Sequence, residues 1–174
     1  MPFKPTTKDG VAEFGGTAPS VGYQVLCLDI PHVDARGEDG SRFVVFPMKV
    51  ATGADEGKSH SESFGIDKYP DPGNRFIASL LDILGLYEKY IAKLGNPDNI
   101  FDPIVWDRAL KGLTVDIPNK TIEVILEKDK KGYNRIRSMG AVGSGLKAKA
   151  AAKAGNETTT AQPTVTEAEE LDFQ

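Results

Sequence analysis

Lys130-Lys131-Gly132-Tyr133-Asn134-Arg135-Ile136-Arg137 is the stretch of this chain whose residue types and spacing are best suited to chemistry. Side chains on a strand alternate between faces. Tyr133, Arg135 and Arg137 are therefore expected on one face, and Asn134, Ile136 and Ser138 on the other. An aromatic ring beside two guanidinium groups can stack a base and neutralise phosphates, as single strands require. Lys128, Lys130 and Lys131 add charge at the turn. The competing reading of the same residues is an exposed, charge-laced hairpin whose Tyr covers a barrel edge. Weaker binding candidates are Phe43 and Lys49, which share a strand face, then Phe64, Lys68 and Tyr69, and Arg75 at the head of a helical region.

Enzymatic chemistry finds little support. Two His-x-acid pairs occur, His32 with Asp34 and His60 with Glu62, but a metal site needs three or four converging ligands. Gly140-Ala-Val-Gly-Ser-Gly145-Leu-Lys147 has the look of a phosphate-binding loop. Leu146 separates Gly145 from the Lys, however, and no Ser or Thr follows it, so a hinge is expected instead. The single cysteine, Cys27, lies in an apolar run and is expected to be a buried, reduced thiol. No catalytic residue, metal or cofactor is expected.

The last twenty residues carry five acids and no base, so the formal charge of −4 leaves +1 on the rest of the chain. From about Gly155 the composition is too polar to offset the entropy of ordering it, and a disordered tail is expected. It ends in Glu167, Glu169, Glu170, Leu171, Asp172 and Phe173, an acidic tip with apolar anchors suited to a basic-rimmed pocket on another protein. Glu169 to Phe173 are the expected partner-binding residues. The alternative is a solubilising tail. No stretch reaches 18 consecutive apolar residues and no signal-peptide run opens the chain, so a cytoplasmic, membrane-free protein is expected.

The elements that must position these residues follow from period and punctuation. Residues 1–20 read as an arm. Strands are expected over Val21–Ile30, ended by Pro31, over Arg42–Ala51 and over Ser59–Ile66, with a polar turn over Asp34–Gly40. A helical insert over about 73–111 follows, with Gly85 interrupting it and Gly112 as a stop. Strand patterning returns over Leu113–Ile117, Thr121–Glu127 and Tyr133–Met139, with a hairpin turn at Asp129–Gly132. Residues 141–174 read as linker and tip, with Leu146–Ala154 at most partly helical. The expected fold is mostly β with a helical insert: an OB-like five-stranded barrel over 21–140 and a disordered tail.

Two resemblances sharpen this expectation. The acidic tip resembles the tails of bacterial and phage single-stranded DNA-binding proteins, although it lacks a Pro before Phe173 and Gln174 follows it. The early strands, the Phe101-Asp-Pro-Ile-Val-Trp-Asp-Arg-Ala-Leu-Lys-Gly112 segment and the Gly132-Tyr-Asn-Arg135 hairpin resemble a family of phage-encoded proteins. These lie near recombination and replication genes and are taken as single-stranded DNA-binding proteins. The resemblance spans about 120 residues with short motifs. It implies an OB barrel that coats single strands in the host cytoplasm, with replication or recombination proteins as partners of the tip. The second expectation, from a different class, is a small phage structural or assembly protein that uses its β-domain as an interaction module. Oligomeric state, monomer or dimer, is left open.

Overall fold

The computed structural model describes residues 18–36, 38–94 and 103–157. Along the chain they form β1 (Gly22–Leu28), β2 (His32–Arg36), β3 (Ser41–Val50), β4 (Ser59–Gly65), α1 (Asp71–Ile83), α2 (Tyr87–Leu94), α3 (Pro103–Asp116), β5 (Thr121–Lys128), β6 (Asn134–Gly140) and α4 (Leu146–Glu157).

β1 and β2 behave as one strand broken at Pro31. Both pair antiparallel with the same long strand, Leu28 opposite Met48 and His32 opposite Val45. Four steps on one side thus face three on the other, and the extra residue bends the sheet where Pro31 has no N–H to donate. β4 takes the other edge of β3, β5 pairs with β1, and β6 with β5, all antiparallel. Three strands, a helical insert and two strands in a curled antiparallel sheet make an OB-like fold. The polar turn expected over Asp34–Gly40 is corrected in part, since its first residues extend β2.

Alternation directs Val44, Phe46 and Met48 of β3 inward, with Leu26, Ile122, Val124 and Leu126, onto the Ile77, Leu80 and Leu81 face of α1. Among the described residues β4 and β6, the two ends of the sheet, form no backbone ladder. Glu62 bridges them: its Oε1 accepts the Ile136 N–H at 2.8 Å and lies 3.0 Å from His60 Nε2.

The insert is longer than the sequence predicts, and the Leu113–Ile117 strand is a correction: α3 runs on to Asp116. Ala109, Leu113 and Ile117 recur every four residues and are buried. Gly112 is a crossing point and not a stop, because a Cβ there would stand 2.6 Å from the Tyr90 hydroxyl of α2. Tyr90 donates to Asp116 at 2.9 Å. Burial, then this carboxylate, pushes the phenol well above its ordinary range.

The linker expected from residue 141 is also corrected as far as α4. Leu146 is buried where this helix packs on β1 and β5. The glycine-rich turn before α4 is an anion nest, and the anion in it is the protein's own Glu123. That carboxylate accepts from Gly143 N–H at 2.8 Å, the Tyr23 hydroxyl at 3.0 Å and the Ser144 hydroxyl at 3.1 Å. The Gly143 N–H is the main cause holding Glu123 below the usual carboxylate range. No helix among the described residues is long and apolar enough to cross a membrane.

Candidate nucleic-acid interface

The register of β3 decides which side chains reach the outside of the sheet. With Val44, Phe46 and Met48 inward, Phe43, Val45, Pro47 and Lys49 alternate to the other side, where Lys49 is exposed, Phe43 and Pro47 are half-buried and Val45 is covered. Opposite them on β4 stand Gly65, Ser63, Ser61 and Ser59. At the Phe43 end the surface dips into a concavity of about 500 Å³. Phe43, Tyr69, Arg36, Arg42 and Lys68 line it with Gly65. The Arg36 guanidinium carbon lies 5.5 Å from the Phe43 ring centroid, within cation–π range. Gly65 permits the tight turn beneath, because a Cβ there would overlap the Lys68 carbonyl oxygen. Just after that turn Tyr69 takes φ +58, in the left-handed region that costs a ring-bearing residue free energy, and its side chain is 85% exposed.

The basic groups of this concavity all have acidic partners. Arg36 donates to Asp34 at 3.1 Å, and Arg42 grips Asp67 through its guanidinium at 2.7 Å and its own N–H at 2.8 Å. Lys68 pairs with Asp39. The Lys68 ammonium, then the hydroxyl and N–H of Ser41, hold the Asp39 carboxyl down to about 2. Arg42 likewise lowers Asp67. Aromatic surface is therefore offered here without net positive charge.

Unpaired charge lies at the β5–β6 hairpin. Asp129 organises that turn by accepting the N–H groups of Lys131 at 2.8 Å and Tyr133 at 3.0 Å. Tyr133 is 64% exposed, and Lys130 and Lys131 are exposed with no ion pair among the described residues. Lys49 is exposed in the same way on β3. Arg135 and Arg137 do share a face, but neither is free. Arg135 lies 3.4 Å from both Glu62 and Asp129, and Arg137 lies 4.0 Å from Glu127. A bulge between Ile125 and Leu126 leaves Ser138, opposite Ile125, off the face of Ile136, which corrects its expected place.

Phe43, Lys68 and Tyr69 are thus brought together, whereas Tyr133, Lys130 and Lys131 form a second group. β4 meets β6 at the Glu62–Ile136 bridge and runs on from there to the concavity at Gly65. Phe64 also lines the concavity, while its ring lies 4.8 Å from Phe76 and 6.4 Å from Phe46. Arg75 is exposed on α1, outside the concavity. Sequence reasoning missed Arg36 and Arg42. Both flank the 38–40 turn, and reading a strand on its N-terminal side would have placed Arg36 beside Phe43.

His60 and Glu62 prove to be a buried pair, and His32 lies 3.6 Å from Asp34 at the surface. Among the described residues no three His, Cys, Asp or Glu groups converge as metal ligands. The tip expected to bind partners, Glu169, Glu170, Leu171, Asp172 and Phe173, lies outside the described residues. Comparison with family models, curated proteins and solved structures found no match for this chain.

Proposed function

We propose that this protein binds and coats single-stranded DNA by stoichiometric binding. The observation that supports the reading best is the aromatic concavity at the Phe43 end of the β3–β4 pair in an OB-like sheet, with exposed lysines at the β5–β6 hairpin of the same sheet. Bases stack on exposed rings, while Lys49, Lys130 and Lys131 meet phosphates. The acidic tip recruits replication or recombination proteins of a phage, with Phe173 as its apolar anchor.

One observation favours a second reading. Acid–base pairing leaves the concavity without net charge, as suits a protein-interaction face in a phage assembly protein. Fluorescence anisotropy with labelled oligo-dT at two salt concentrations separates the two. A DNA coat loses affinity as salt rises, through release of condensed counterions. An absence of binding at low salt, or equal affinity for duplex of the same length, would overturn the DNA reading.

A further inference from the structure

We infer that the concavity between Phe43 and Tyr69 is a subsite for one unpaired nucleobase, from which phosphate is excluded. This rests on the single-strand reading above and divides its labour: bases are held at this end, and charge is met at the hairpin.

Three observations carry the inference. First, the two rings and the stacked Arg36 guanidinium offer flat surfaces that a base can contact, in a volume of about 500 Å³. Second, the site is pre-formed. Arg42 ties Asp67 through three short contacts, Lys68 ties Asp39, and Gly65 allows the chain to fold back so closely that Tyr69 is carried to the rim. A tyrosine held in left-handed backbone with its ring in solvent gains nothing from packing, so its position is bought by these ties and is available to a ligand. Third, Asp34, Asp39 and Asp67 stand beside the three cations. A phosphate entering here would have to displace a carboxylate from each cation it approached, whereas a neutral base would not.

The test uses the full chain, with fluorescence-labelled oligo-dT and an abasic oligomer of equal phosphate number as probes, over a range of salt. Tyr69→Asn removes the ring while keeping a residue that tolerates φ above zero. It should weaken oligo-dT binding by roughly five- to 150-fold, the worth of one stacked base, with the salt slope unchanged. Tyr69→Trp should retain wild-type affinity, and wild type and Tyr69→Asn should bind the abasic oligomer equally. Phe43→Leu, checked for folding by circular dichroism, should repeat the Tyr69→Asn result. If wild type binds oligo-dT and Tyr69→Asn matches it within twofold, or lowers the slope, the base subsite is overturned while the coating reading stands. If wild type binds neither probe at low salt, both are overturned.

Discussion

Glu62 of β4 and Ile136 of β6 are joined across the gap in the sheet: the carboxylate accepts the backbone N–H at 2.8 Å although 74 residues separate them in sequence. The same oxygen lies 3.0 Å from His60 Nε2, and both side chains of that pair are buried. One side chain therefore does at this seam what a row of strand hydrogen bonds does elsewhere in the sheet. It also recruits Arg135, which sequence reasoning had assigned to DNA.

Glu62→Ala should destabilise the fold by about 1–3 kcal/mol, because it strands a partly buried N–H and the buried His60 ring. Glu62→Gln keeps an acceptor for Ile136 and should cost less. Urea unfolding of the three proteins checks the order, and equal midpoints would show that the seam needs no bridge.

Charge at the hairpin should govern the salt dependence of DNA binding. Lys130→Ala and Lys131→Ala should each lower the slope of log affinity against log salt by about one unit. Arg135→Ala should also weaken binding, but it should lower the unfolding midpoint as well, since Arg135 braces Glu62 and Asp129. Slopes for both lysine variants equal to wild type would move the phosphate track away from the hairpin.

Gly112→Ala should cost about 1–3 kcal/mol by overpacking the α2–α3 crossing, where the new methyl meets Tyr90. Tyr90→Phe removes the hydroxyl that it would strike. The double variant should therefore lose less than the sum of the two single losses, a coupling that a double-mutant cycle reads directly.

Acid should loosen the docking of α4. Glu123 is held below its ordinary 4.5, so the unfolded chain binds the proton more readily than the folded one. Its contribution is present above that value and is lost as pH falls through the folded one. Glu123→Gln should be less stable than wild type at pH 7 and should lose less stability on acidification below about 4.5. Thermal melts at pH 7 and at steps below 4.5 check both signs, and parallel curves would contradict the carboxylate's role.

Wherever short-range periodicity is decisive, the chain alone determined the outcome. Alternation placed Val44, Phe46 and Met48 on one face of β3, and the Asp129–Gly132 turn read correctly because its hydrogen bonds close within four residues. The Phe76, Ile77, Leu80, Leu81 spacing was equally legible as a helix. Only the tertiary structure decided what each exposed polar group meets. Gly112 looked like a stop until Tyr90 supplied the reason for a missing side chain. The Ala- and Lys-rich segment had no evident face to bury until Glu123, some twenty residues earlier, filled the nest at its head. That Arg135 meets Glu62, 73 residues away, was likewise not legible in the sequence. Backbone period is written locally, but the pairing of charges and the closing of a curled sheet depend on which distant strands meet, and a single chain's sequence does not state that.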